Sequence, residues 1–203
     1  MSLTFVLNRL ASWSFFEYTD IISSHFMAPK LARNIASATH AIGTVALAGG
    51  CLLADKKQFE SLYSLVKVFS TGYFLFDSHY ILQYEKLTTT RLAWLYHHIA
   101  IIYYIHQDPL VYNGHKILFW GELSNIPTYF VYHYLQKKMI NTYKFKIWSI
   151  VQKILYSGIR LPILGGLTLE IIQNASQKGP ILLLFPVYLM GIVWTYNLLT
   201  QKH

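Results

Sequence analysis

Residues 91–108 read RLAWLYHHIAIIYYIHQD. The stretch opens on Arg91, continues through apolar and aromatic side chains, and stops at Asp108 before Pro109. An apolar run between two polar ends predicts a helix that crosses a bilayer, although about 20 such residues are needed to span the hydrocarbon core and this run is shorter. Its centre therefore lies close to both surfaces. At that centre stand two adjacent titratable rings, His97 and His98. The rest of the chain has to decide whether they are structural, metal ligands or a catalytic pair.

The composition around this segment is that of a membrane protein. The 203 residues are 54% hydrophobic and 13% charged, where soluble chains carry about 25% charged residues. The predicted fold class is all-α: a polytopic membrane protein with six transmembrane helices around a lipid-accessible cavity. Apolar segments fall near 35–53, 61–81, 92–107, 116–136, 147–168 and 180–200. They make one domain, residues 31–203. Residues 1–30 form a separate N-terminal piece in which Leu3, Val6, Leu10, Trp13 and Phe16 recur at helical spacing, interrupted by Asn8, Arg9, Glu17 and Asp20. A helix lying in the membrane interface is the first expectation for it, and a degenerate seventh span is the second. The first thirty residues lack the basic, apolar and small-residue order of a cleavable signal.

The net charge of +8 does not point to nucleic acid, because the basic residues lie between apolar segments rather than in one block. They concentrate near the N-terminus, in the second loop (Lys86, Arg91), in the fourth loop (Lys137, Lys138, Lys144, Lys146) and at the C-terminus. The positive-inside rule puts those parts in the cytosol. Asn174-Ala175-Ser176 is a glycosylation sequon in the fifth loop, on the luminal side of this arrangement. A single cysteine, Cys51, excludes an internal disulfide and a cysteine-based zinc site. Membrane di-iron sites need several histidine boxes and this chain has one pair, so no metal is expected.

Ionisable groups inside spans are unfavourable by about 2.5–3.5 kcal/mol each on insertion scales, so their depths carry information. At about 1.5 Å per residue, His40, Asp77, His97, His98 and Lys153 share a layer on the order of 10 Å below the cytosolic surface. Lys67, Glu122 and Arg160 form a second group counted from the luminal side. There Glu122 could neutralise Arg160 or Lys67, either as a lock between helices or as part of a headgroup site. Adjacent histidines point about 100° apart on a helix, so one can face Asp77 while the other faces a pocket. An aspartate accepting a ring N–H would orient a histidine as general base or acyl-accepting nucleophile. His106, His115 and His133 read as packing residues.

Taken in order, these positions resemble the TLC-domain family of multi-pass membrane proteins, which includes the ceramide synthases. Arg33, Ser37, Thr39, His40 and Ala41 resemble its first-helix opening. Gly72-Tyr73-Phe74-Leu75-Phe76-Asp77 is similar to its Gly-Tyr-Phe-x-x-Asp element, and His97-His98 to its paired histidines. Glu122-Leu123-Ser124-Asn125-Ile126-Pro127 is similar to the Glu-Leu-Ser-x-Pro element of the non-synthase branch, and Arg160 falls where that branch often has an arginine. The resemblance covers residues 30–200. It implies six helices around a membrane-open cavity containing the histidines, which in the synthases serve N-acyl transfer from acyl-CoA to a sphingoid base. The synthases have two acids three apart where this chain has Glu122 and Asn125. Non-synthase members are linked to membrane lipid composition and cargo handling in the endoplasmic reticulum, so that or another endomembrane is the expected location.

The expectation is a protein that binds or acts on membrane lipids. If it is an enzyme, acyl transfer to an amine or hydroxyl is expected, with acyl-CoA as donor and no bound cofactor. His97 or His98 would be base or nucleophile and Asp77 the orienting acid, with His40, Glu122, Asn125 and Arg160 at the substrate. Trp94, Tyr96, Tyr103, Tyr104 and Tyr129 are candidate pocket walls. The alternative is a non-catalytic lipid sensor or adaptor for cargo or partners.

Overall fold

Helix boundaries are written in capping residues. Asp55 accepts a hydrogen bond from the Gln58 N–H, Thr88 from Arg91 N–H and Thr142 from Phe145 N–H, each satisfying a donor that the first turn leaves free. Pro29 and Pro109 start helices at positions where a missing N–H is harmless. Asn113, with φ of 51°, takes the left-handed conformation that asparagine tolerates better than most side chains, and turns one helix into the next.

The computed structural model describes residues 3–174 and 179–200, and it is all-α. The helices are α1 (Leu3–Phe26), α2 (Pro29–Leu53), α3 (Lys56–Tyr84), α4 (Thr89–Ile105), the single turn α5 (Pro109–Tyr112), α6 (Gly114–Gln136), α7 (Tyr143–Gly158), α8 (Leu164–Asn174) and α9 (Gly179–Thr200). A π-helical turn, Ile159–Ile163, joins α7 to α8 and contains Pro162. Five of the expected apolar segments lie within the helical stretches, the fifth being broken by the π turn, and the third, 92–107, runs two residues past the end of α4. The sequon extends past the described residues.

Three stretches are long and apolar enough to cross a membrane: Pro29–Leu53, Tyr143–Asn174 and Gly179–Thr200. The sequence expectation was six. Among the others, α4 has only 17 residues, α3 carries Lys56, Lys57, Glu60, Lys67 and Asp77, and α6 carries Lys116 and Glu122. Those polar groups dilute the apolar signal of helices that are otherwise laid out like their neighbours.

Side-chain contacts fix the arrangement. α2 lies between α3 and α6; α3 also touches α4, and α4 touches α9. α9 packs on the π turn and α8, and α7 with the π turn returns to α6, closing a ring. Neighbours in the ring run antiparallel, as the pairs Tyr73–Ser37, Tyr63–Ile105, His40–Glu122 and Gln152–Thr128 require.

α1 lies outside the ring against α2 and α3. It runs parallel to α3: Ser12 donates to the Phe69 carbonyl, and Phe16 packs on Tyr73 and Phe76. Phe16 is fully buried. The close approach requires Gly72, since a Cβ there would come within 2.8 Å of the Ser12 backbone carbon. α1 is therefore joined to the bundle along its length. Leu7, Leu10, Phe15 and Ile22 on its other side are exposed.

Candidate functional site

Inside the ring is a cavity of about 630 Å3, walled by α2, α3, α4, α6, α7 and α9. It opens at the end where α2 and α4 begin and α3 stops. An ionic lattice sits at this mouth. Arg33 Nε donates to Asp77 Oδ1 at 2.7 Å, and Glu85 is held by both Arg33 and Arg91. Tyr80 lies 4.6 Å under the Arg33 guanidinium, and Trp94 lies 4.5 Å under that of Arg91. These stacked cations keep charge-assisted hydrogen bonds in a partly desolvated place. Arg33 was marked in the sequence as a motif residue without a role, and Glu85 and Arg91 were not linked to it. Charges on α2, on α4 and at the residue that follows α3 give no local pattern to find.

Below the mouth the two histidines part company. His98 is buried, with Nδ1 3.0 Å from Ser78 Oγ and Nε2 3.5 Å from Asp77 Oδ2. A carboxylate only accepts, so the arrangement that satisfies both neighbours puts the ring proton on Nε2 and lets Nδ1 accept from Ser78. His97 points the other way. It lines the cavity, packs edge-on to Phe74 and Trp194, and makes no hydrogen bond among the described residues; its Nδ1 is buried without a partner. Of the two divisions open in the sequence, the structure puts His98 on Asp77, but both rings and Asp77 border the cavity.

At His97 the cavity meets a smaller chamber of about 50 Å3. Phe74, His97, Glu122 and Asn125 border both spaces. The chamber runs on between Ile101, Ile117, Leu118, Leu164, Leu184 and Val187. Here the second polar group assembles, differently from the expected ion pair. Arg160 Nη2 donates to Asn125 Oδ1 at 2.9 Å, and Asn125 Nδ2 donates to Glu122 Oε2 at 3.1 Å. Asn125 thus stands between the acid and the arginine. Glu122 Oε1 faces His40 Nδ1 at 3.8 Å. His40 has no exposed surface, stacks flat on Tyr73 at 4.0 Å, and borders neither cavity.

The π turn is what positions Arg160. It widens the helix by its i→i+5 bonding where the arginine turns inward onto Ser124 and the Gly121 carbonyl. Lys67 and Lys153, assigned to these layers by depth, border neither space; Lys67 instead lies 5.3 Å over the Tyr63 ring. Of the aromatic candidates, Trp94 and Tyr129 line the cavity. Tyr96 donates to the Leu183 carbonyl, Tyr104 to that of Tyr112, and Tyr103 is exposed. Sequence reading missed Tyr132, Tyr156 and Trp194 in the walls, because depth counting ranks charged residues and not aromatic ones.

Comparison with known protein families, curated proteins and solved structures gives no match.

Proposed function

We propose that this is an integral membrane protein of the TLC-domain type whose ring of helices takes a membrane lipid into its cavity. In this reading His97 is the general base of an acyl transfer to an amine or hydroxyl, with acyl-CoA as donor. The observation that carries it is a cavity of about 630 Å3 that narrows onto a histidine held by no hydrogen bond among the described residues. A belt of exposed apolar side chains on the outside of the ring, including Ile42, Leu65, Ile99, Ile150, Leu182 and Val193, supports a lipid surrounding, since soluble proteins rarely expose large apolar patches. α1, at 24 residues and about 36 Å long, is long enough to cross beside α3 as a seventh span. The positive-inside rule then puts the mouth in the cytosol, and the endoplasmic reticulum or another endomembrane is the proposed location.

In the transfer step the acceptor N–H or O–H gives its proton to His97 as its heteroatom attacks the thioester carbonyl. The new C–N or C–O bond forms, the C–S bond breaks, and the departing thiolate takes the proton. His98 and Asp77, which also border the cavity, hold the histidine-bearing face of α4 against α3 and take no proton in this step. A second reading, a lipid sensor or adaptor without turnover, is favoured by one observation: Asp77 is engaged by Arg33 and His98, so among the described residues no acid orients His97.

The test is comparative lipidomics of cells expressing equal amounts of wild type or His97→Asn. A lipid class that rises only with wild type supports transfer. Equal lipid profiles would eliminate it and leave the sensor.

A further inference from the structure

The chamber holds a cation that takes no part in the transfer step itself. Arg160 is 8% exposed in a chamber whose mainly apolar walls also carry His97, Glu122, Asn125 and Thr168, and its guanidinium lies 4.8 Å over the Tyr156 ring. Its Nε donates to Ser124 Oγ at 3.0 Å, and Nη2 donates to Asn125 Oδ1 and, at 3.2 Å, to the Gly121 carbonyl. All three acceptors are neutral. Among the described residues no carboxylate forms an ion pair with this guanidinium, in contrast to Arg33 and Arg91. Glu122 reaches it only through Asn125. Nη1 makes no hydrogen bond among the described residues.

An interior cation without a contacting anion is strongly unfavourable, so its persistence asks for a function. Three further features mark the place. The helix leaves regular geometry here in a π turn, a feature frequent at functional sites. α9 presents Gly191, where even a Cβ would stand 3.8 Å from Arg160 Cδ, so the arginine stem has the space a side chain would fill. The chamber's 50 Å3 admits only a few heavy atoms, given that about 10–15 Å3 on this measure holds one water.

We infer that Arg160 receives the oxyanion of an amphiphile, a carboxylate or a phosphate. Nη1 donates to it within the chamber, while the rest of the ligand lies along Phe74, Tyr129, Tyr156 and Trp194 in the larger cavity. The inference rests on the lipid-handling reading and adds to it the charge of the lipid. A guanidinium matches both anions in geometry; the size of the chamber selects a small head over a bulky one.

The experiment uses the full chain in phosphatidylcholine nanodiscs, with a pyrene-labelled fatty alcohol as the displaced probe. Competitors are oleate, oleoyl lysophosphatidate and oleyl alcohol. At least one anionic competitor should displace the probe about tenfold or more better than oleyl alcohol, the scale of one charge-assisted hydrogen bond. Whichever anion wins identifies the carboxylate or the phosphate. Arg160→Gln should bring the ratio close to one, and Arg160→Lys should keep part of it. If Arg160→Gln does not fold, Gly191→Leu, which crowds the arginine stem, should also lower the ratio. Equal displacement by anionic and neutral competitors in wild type overturns the inference and leaves lipid binding standing. A preference that survives in Arg160→Gln overturns it too, and assigns the anion to the mouth cations Lys30 and Arg91. If the alcohol probe itself does not bind, the lipid-handling reading falls and the inference falls with it.

Discussion

Arg33 Nε stands 2.7 Å from Asp77 Oδ1 and so ties the first turns of α2 to the last turns of α3. Their side chains are 12% and 5% exposed, which makes this a buried pair. Removing one partner leaves the other with one remaining contact, Glu85 for Arg33 or His98 for Asp77, so the loss falls below the roughly 3–5 kcal/mol of an isolated buried charge. Arg33→Ala and Asp77→Ala should each lower the detergent unfolding midpoint. The double variant should be better off than the sum of the two, because contacting partners are not additive. Additive losses would mean that the two side chains act independently.

The histidines should separate by readout. His98→Ala removes contacts to Ser78 and Asp77 and should reduce stability by about 1–3 kcal/mol, the range for leaving a buried polar group unsatisfied. His97→Asn breaks no hydrogen bond among the described residues and should leave the unfolding midpoint nearly unchanged while abolishing any product lipid. Thermal unfolding of both variants, set beside the lipid profile, checks this. The reverse pattern would mean that His98 is the reacting ring.

Asn125 is expected to matter more than an amide usually does, since it serves an acid and a guanidinium at once. Asn125→Leu should destabilise by about 3 kcal/mol or more, the upper range for hydrogen bonds to charged groups. A denaturant titration that finds no change would show that Glu122 and Arg160 have other support.

Two glycines give a contrast in the same assay. Gly72→Ala places a methyl group against the Ser12 backbone and should cost about 1–3 kcal/mol through overpacking, loosening α1 from α3. At Gly166, inside α8, a Cβ meets nothing within 4 Å. Gly166→Ala should be neutral or stabilise by up to about 1 kcal/mol, the helix-propensity difference. Protease access to the α1–α2 turn should rise in Gly72→Ala alone.

The helices themselves were legible in the sequence because apolar periodicity and capping residues are local. The structure starts three of them a few residues before the apolar runs, at the capping residues Asp55, Thr88 and Thr142. Depth counting correctly brought Asp77 and His98 together, since antiparallel neighbours at equal depth must meet. It failed for Lys67 and Lys153, because depth says nothing of which way a residue faces around its helix. It also split Glu122 and His40 into different groups, although they lie 3.8 Å apart; counted from opposite surfaces, the two layers overlap. The place of α1 was open in the sequence because Asn8, Arg9, Glu17 and Asp20 interrupt its apolar spacing, and its docking turns on Ser12 meeting Gly72, 60 positions away.

The π turn at Ile159–Ile163 has a consequence of phase. Bonding one residue further along per turn shifts every side chain of α8 around the axis relative to α7. Gln152 and Tyr156 before the turn and Leu164 and Thr168 after it all border the interior spaces, which a regular helix with the same residues would not arrange in the same way. The turn thus acts as a frame correction written with one surplus residue. Deleting Leu161 would restore the α rhythm and swing α8 out of register with α9, whereas the same deletion in a loop would be absorbed. A single-residue deletion scan through 155–170 should show a sharp minimum of folded yield on the C-terminal side of Arg160, and that minimum would mark where the chain keeps its offset.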